Sequence, residues 1–288
     1  MSAREETRAA RAMVAPALVL MALVTAYPVV MAVWLSTRRR ILVFGEDRPV
    51  GLANVTHLLG DERFWSALGN TLTFAGAAVT LELALGLAFA VLLDRRAPGS
   101  GLLRIAVLVP WALPTVVSAR MWAWLLHPHH GLLGTWLSPR GDDVLGTPAG
   151  AMLAAIAVDV WKTTPFVALL LLAGLKTIPD EVRRAAAIDG ASGLTAFLRV
   201  DLPLLRGTIA VAVLLRGLDA LRVFDAIWVL TEGGPANTTE TLSIYAYKTL
   251  LRAGDFGYGS TLATATLLVV AALAITWLRI ARPPGLVR

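Results

Sequence analysis

Residues 150–175 read Gly-Ala-Met-Leu-Ala-Ala-Ile-Ala-Val-Asp-Val-Trp-Lys-Thr-Thr-Pro-Phe-Val-Ala-Leu-Leu-Leu-Leu-Ala-Gly-Leu, with Asp159 and Lys162 the only charges. A helix rises about 1.5 Å per residue, so a run of this length crosses the roughly 30 Å hydrocarbon core of a bilayer. Scanning outward for about 20 mainly apolar residues returns five more runs. They are residues 12–36, 65–93, 102–126, 204–230 and 261–278. The expected fold is an all-α integral membrane protein with six transmembrane helices. A single transmembrane domain then covers residues 12–278, flanked by polar ends at 1–11 and 279–288. The first run is read as a retained helix. It exceeds the apolar core of a signal peptide, and Tyr27-Pro28 and Trp34 stand where small residues would mark a cleavage site.

Composition agrees. The 288 residues are 57% hydrophobic and 16% charged, against roughly 45–50% and about 25% in soluble domains. The excess apolar surface must face something other than water. The net charge is +6, yet no lysine-rich tail or basic run interleaved with exposed aromatics offers a nucleic-acid groove. The positive balance belongs with anionic lipid and topology. There is no cysteine, which excludes disulfides, thiol nucleophiles and thiolate metal sites.

Orientation follows from the loop cations. With the N-terminus inside, cytoplasmic segments hold 14 Lys and Arg, among them Arg4, Arg8, Arg11, Arg95, Arg96, Arg104, Arg279, Arg282 and Arg288, and the outer loops hold 8. Arg38-Arg39-Arg40, with Arg48 and Arg63, opposes that assignment. The other loops favour both termini inside.

Charges within the apolar runs normally face protein or water, not lipid. Asp159 and Lys162 lie in the fourth run. Arg216, Asp219, Arg222 and Asp225 in the fifth recur every third residue with alternating sign, so successive pairs can neutralise one another along a helix. Two readings stand: a buried ion ladder, or the wall of a hydrophilic path. On a continuous helix Arg216 and Asp225 face nearly opposite directions, so at least one of them should contact protein, with Asp225 favoured as the structural residue. Glu82 and Arg120, in the second and third runs, are available to pair across the bundle.

Between the fourth and fifth runs, residues 177–203 read Thr-Ile-Pro-Asp-Glu-Val-Arg-Arg-Ala-Ala-Ala-Ile-Asp-Gly-Ala-Ser-Gly-Leu-Thr-Ala-Phe-Leu-Arg-Val-Asp-Leu-Pro. Thr177 as a cap, Pro179 near the first helical position and Asp180 with Glu181 in the first turn predict a short helix that Gly190 ends. A second short helix through Phe197, Leu198 and Val200 leads to Pro203. Ala185, Ala186 and Ala187 give the first helix a slim face suited to close approach by another protein. The bland alternative is a helix resting on lipid headgroups.

Arg184-Ala185-Ala186, Asp189-Gly190-Ala191 and Val200-Asp201-Leu202-Pro203 resemble the EAA loop of membrane subunits of bacterial ABC importers. Its pattern is Glu-Ala-Ala, three residues, Gly, nine residues, Ile-x-Leu-Pro. The spacing matches, with Arg184 in place of the Glu and Val200 in place of the Ile. The first change reverses a charge, and Glu181 lies one turn earlier. Three further motifs resemble the carbohydrate-uptake permeases of the maltose MalF-like type. They are Trp161-Lys-Thr-Thr-Pro-Phe166, Val223-Phe-Asp-Ala-Ile-Trp-Val-Leu-Thr-Glu-Gly-Gly-Pro235 and Phe256-Gly-Tyr-Gly-Ser-Thr-Leu-Ala263. Trp161–Phe166 together with Leu218-Asp-Ala-Leu-Arg-Val-Phe-Asp225 is similar to trehalose permease subunits of the mycobacterial type.

The resemblance implies a multi-pass subunit of the bacterial inner membrane, importing a di- or oligosaccharide, trehalose- or maltose-like favoured. Its partners would be a second permease subunit in a heterodimer, two ATPase subunits and an extracytoplasmic sugar-binding protein. This chain would bind no cofactor, with ATP and Mg on the partner ATPase. No Gly-x-x-x-x-Gly-Lys-Ser/Thr occurs, and Gly174-Leu-Lys-Thr177 lacks the loop that cradles phosphates. By position the family's sugar path falls on Lys162, Thr163, Phe166, Arg216, Asp219, Ala220, Arg222 and Val223. ATPase coupling falls on Glu181, Arg184, Ala185, Ala186, Asp189, Gly190, Ala191 and Pro203.

Two other classes compete. A polytopic enzyme such as a lipid-linked glycosyltransferase needs a carboxylate pair or a metal cluster. Its only candidate is His127-Pro-His-His130, with Asp142 and Asp143 more than ten residues away, and interfacial histidines account better for that loop. A proton-coupled transporter would use Asp159 or Glu82 as a relay, but gives the EAA-like loop no role.

Overall fold

The computed structural model describes residues 3–94, 100–137 and 141–281. Arg95, Arg96, Arg282 and Arg288, counted above for topology, lie outside the described residues. In chain order the elements are α1 (Ala3–Ser36), β1 (Arg38–Ile41), β2 (Glu46–Pro49), α2 (Ala53–Leu59), α3 (Glu62–Asp94), α4 (Ser100–Ala112), α5 (Thr115–Leu125) and α6 (Leu132–Leu137). There follow α7 (Pro148–Lys176), α8 (Asp180–Ile188), α9 (Gly193–Ala196), α10 (Leu202–Leu204), α11 (Arg206–Ala220), α12 (Asp225–Thr231), α13 (Leu242–Tyr247) and α14 (Phe256–Ala281). A π-helical turn, Phe197–Asp201, joins α9 to α10, and a second, Lys248–Arg252, follows α13.

Among the described residues four helices have the length and apolarity to cross a membrane: Arg11–Ser36 within α1, α3, α7 and α14. Their ends lie within about a turn of the sequence-based limits, save that α1 begins nine residues before residue 12. Two expected spans are not continuous helices. Residues 102–126 form α4 and α5, bent by 100°. Pro114 lacks an N–H and forces the residue before it out of helical geometry, so the chain turns there and α5 restarts. Residues 204–230 break after Ala220, and α12 resumes at Asp225. In place of six continuous helices, the described residues thus hold four helices long and apolar enough to cross a membrane, the bent pair α4 and α5, and α11 and α12 interrupted at residues 221–224.

The chain folds as two compact units. The first takes residues up to Phe64 with Tyr245–Leu268. In it α1 leads into an antiparallel hairpin, β1 with β2, in which Arg38 faces Pro49 and Ile41 faces Glu46. Asn54 Nδ2 ties α2 back to this corner by donating to the Ser36 and Arg38 carbonyls, each at 2.8 Å. Asp61 accepts hydrogen bonds from the hydroxyls of Tyr245 and Tyr258. Burial pushes this carboxyl up, but the bonds from Tyr245, Tyr258 and two backbone N–H groups outweigh it and hold it below the ordinary carboxylate value.

The second unit takes Trp65–Ile244 and the chain from Val269. Its α7 starts with Thr147 Oγ1 accepting from Gly150 N–H at 3.2 Å and Pro148 at the first position. One face of α7 packs with Phe74, Ala78, Ile227 and Ile244, and its C-terminal half with Leu93, Leu205 and Ala212. Gly86 permits the close approach of α3, since a Cβ there would lie 2.6 Å from Val167 Cγ1.

Candidate functional site

On α7 the residues Asp159, Lys162, Thr163 and Phe166 follow helical spacing and share one face. Arg216 and Asp219 come from α11, and Arg222, Val223 and Phe224 from the unwound link. Asp225 and Ala226 begin α12, Trp111 comes from α4 and Thr115 from α5. All line one cavity of about 490 Å³. Of the eight path residues read from the sequence, the structure brings seven together here. Ala220 instead faces the apolar core and is 2% exposed.

The floor is an ion network. Arg216 Nε and Nη2 fork onto Glu82 at 2.6 and 2.8 Å, and Nη2 also reaches Asp159 Oδ2 at 3.0 Å. Thr163 Oγ1 lies 2.5 Å from Glu82 Oε1 and 2.6 Å from the Asp159 carbonyl. A bidentate guanidinium–carboxylate pair fixes both groups in direction as well as charge. Glu82 therefore pairs with Arg216, and not with Arg120 as the sequence allowed; Arg120 is exposed.

Above this floor the ladder continues for one step. Asp219 lies 3.7 Å from Arg216 and 3.2 Å from Arg222. It ends there because the helix ends, and Asp225 swings onto the same cavity instead of facing away. The two residues would face opposite ways only on a continuous helix, and the break after Ala220 removes that condition; of the pair it is Arg216 that is held by protein, through Glu82 and Asp159. Lys162 and Asp225 form no ion pair among the described residues. Trp111 stacks against Phe166, with centroids 6.0 Å apart and planes at 26°. The cavity thus offers charged donors, charged acceptors and an aromatic wall, on non-helical backbone of the kind that apolar surroundings tolerate only beside a polar cavity. Trp111 and Thr115 escaped the sequence reading. Their signal was Pro110 and Pro114 on either side of Trp111, which mark an interrupted span.

The second set of predicted residues lies on the loop from α8 to α10. Pro179 stands just before α8, and Thr177 Oγ1 donates to the Gly174 carbonyl at 2.7 Å, closing α7 instead of capping α8. Gly190 ends α8 as expected, at φ +80°, with Ala191 N–H donating to Ala186 O at 2.9 Å. Glu181, Arg184, Ala185, Asp189, Gly190 and Pro203 are exposed, while Ala186 and Ala191 are half-buried. Arg184 and Glu181 pair with each other at 2.7 Å on the surface.

Arg183, which the sequence reading passed over, is the residue that holds this loop. Its Nη1 reaches Asp94 at the end of α3 at 2.8 Å, and its Nε reaches Asp201 at 3.2 Å. Lys176 completes the cluster on Asp94 at 2.6 Å. Burial pulls the Arg183 guanidinium down, but Asp94 and Asp201 more than offset it and hold it above its ordinary value.

Residues 82–283 match the family described as the inner membrane component of binding-protein-dependent transport systems, and the chain belongs to that family. It is a transport subunit and not an enzyme. Among its relatives, the trehalose/maltose transport system permease protein MalF of Thermococcus litoralis is 42% identical over 94% of this chain and 92% of that protein. The trehalose transport system permease protein SugA of Mycobacterium tuberculosis is 40% identical over 97% and 91%. The sulfoquinovosyl glycerol transport system permease protein SmoG of Agrobacterium fabrum is 34% identical over 94% and 89%. The fold is similar to that of a chain in a bacterial alginate ABC transporter crystallised with its alginate-bound periplasmic protein. The TM-score is 0.83 at 20% identity, over 96% of this chain and 95% of that one.

Proposed function

We propose that this chain forms half of the translocation path of an ATP-driven importer for a di- or oligosaccharide, with trehalose or a maltose-like sugar favoured. The observation that carries the reading is the convergence of Lys162, Thr163, Phe166, Arg216, Asp219, Arg222 and Val223 on one cavity, supported by the names of the relatives. Sugar hydroxyls both donate and accept, and a pyranose C–H face suits an aromatic ring, so Lys162, Asp219 and Arg222 beside Trp111 and Phe166 form a fitting wall. Six membrane crossings, with the interrupted pair α11 and α12 as the fifth, would put both termini on one side, which the loop cations make the cytoplasmic one, and residues 12–278 act as one permease domain. The loop from α8 to Pro203 docks an ATPase subunit that binds ATP and Mg. A second permease subunit completes the heterodimer, and an extracytoplasmic binding protein delivers the sugar.

The purified chain alone is expected to turn over no ATP, and to copurify with an ATPase subunit when the two are coexpressed. ATP turnover above a mock preparation, or no copurification, would contradict the assignment. Asp219→Ala tests the path itself. The Asp219 side chain is 59% exposed, so its removal leaves folding within about 0.5 kcal/mol while deleting an acceptor from the cavity wall. Sugar uptake is expected to fall at least tenfold at unchanged membrane abundance. Uptake at the wild-type rate would remove Asp219 from the path.

A further inference from the structure

The β1–β2 hairpin is pinned at the ends of two spans. β1 starts two residues after α1 ends at Ser36. On the other side Ile41 bridges to Asp255, and Leu42 N–H donates to Gly254 O at 3.0 Å, immediately before α14 begins at Phe256. Gly257 lets the Arg38 carbonyl lie against the first turn of α14, where a side chain would collide with it. An extended residue adds at most about 3.6 Å, so these tethers keep the hairpin at the depth of the two helix ends. Trp34, in the last turn of α1, marks the same depth: tryptophan favours the membrane–water interface, and the Arg38 guanidinium sits 4.9 Å over its ring.

At that depth the hairpin shows an apolar tip on a basic stem. Leu42, Val43 and Phe44 are 55%, 74% and 75% exposed, in a turn that Gly45 closes at φ +63°. In the stem Arg38 pairs with Asp47 and Arg39 with Glu46, each at 2.7 Å. Arg40 and Arg48 have no carboxylate partner among the described residues. Exposed apolar side chains beside unneutralised arginines are the signature of an element lying in an anionic interface.

We propose that this hairpin is an interfacial anchor. Leu42, Val43 and Phe44 seat in the acyl boundary of the leaflet at which α1 ends, and Arg40 and Arg48 bind the phosphates of anionic phospholipid headgroups. The assignment holds for either orientation of the chain. It also gives a counter-charge to Arg40, the member of the arginine triplet that has no carboxylate partner among the described residues.

Because the chain has no cysteine, Val43→Cys and Phe44→Cys each create a single labelling site. Nitroxide-labelled variants in nanodiscs containing phosphatidylglycerol should be more accessible to oxygen than to a water-soluble nickel chelate at both positions. That balance should shift toward nickel in wholly phosphatidylcholine nanodiscs, and likewise when Arg40→Gln and Arg48→Gln are combined in the anionic ones. Greater nickel accessibility at either position in the anionic nanodiscs overturns the proposal. So does protection that arises only when a sugar-binding protein is added, which makes the tip a protein-docking surface, or a balance indifferent to lipid charge.

Discussion

Arg216→Met is expected to deplete the protein from the membrane, not merely to slow transport. The Arg216 side chain is 6% exposed and that of Glu82 is 0% exposed, so the methionine leaves Glu82 and Asp159 together without the cation that both share. Removing one partner of a buried ion network costs about 3–5 kcal/mol, set against a total stability of roughly 5–15 kcal/mol. The penalty belongs chiefly to the stranded carboxylates, so Glu82→Gln in the same chain should recover much of it. That non-additivity is what a double-mutant cycle measures. Membrane abundance by immunoblot and thermal stability in detergent are the readouts. Wild-type abundance of Arg216→Met with abolished uptake would move Arg216 from the scaffold to the sugar contacts.

What the sequence made legible follows from the range of each interaction. The ends of α3, α7 and α14 depend on local apolarity over some twenty residues, and were readable within about a turn. The break at Pro114 carries a local mark in the proline itself, whereas the one at residues 221–224 lies on a cavity that five helices line and has no such mark. Glu82 found Arg216, 134 residues away, because the fold and not the charge pattern chose the partner. Seven path residues met because helical spacing and motif position agree. Ala220 did not, since the residue after Asp219 lies about 100° further round the helix. The hairpin was invisible because three arginines in a row carry no strand signal of their own. What pairs them is the turn at Gly45 and the contact with Gly254.

Arg183→Ala is expected to uncouple: uptake per ATP hydrolysed should fall several-fold while the ATPase subunit still copurifies. The expectation rests on where Arg183 is tied. It joins α8 to the end of α3 through Asp94 and to the segment leading into α11 through Asp201, and α11 carries Arg216 and Asp219 on the cavity wall. A push on α8 therefore reaches the cavity along rigid helices only while this link holds. The side chain is 32% exposed, so solvent screens the pairs and the loss of stability should stay near 1 kcal/mol, too small to empty the membrane. Lysine offers a single point charge where arginine forks between two carboxylates, so Arg183→Lys should recover the α3 tie or the α11 tie but not both, and coupling should return in part. Ala185→Glu provides the contrast. It adds bulk and charge to the exposed face of α8 without touching the link, so copurification itself should fail. If Arg183→Ala loses the ATPase subunit as Ala185→Glu does, Arg183 shapes the docking face and transmits nothing; if its uptake per ATP matches wild type, motion reaches α11 through Pro203 alone.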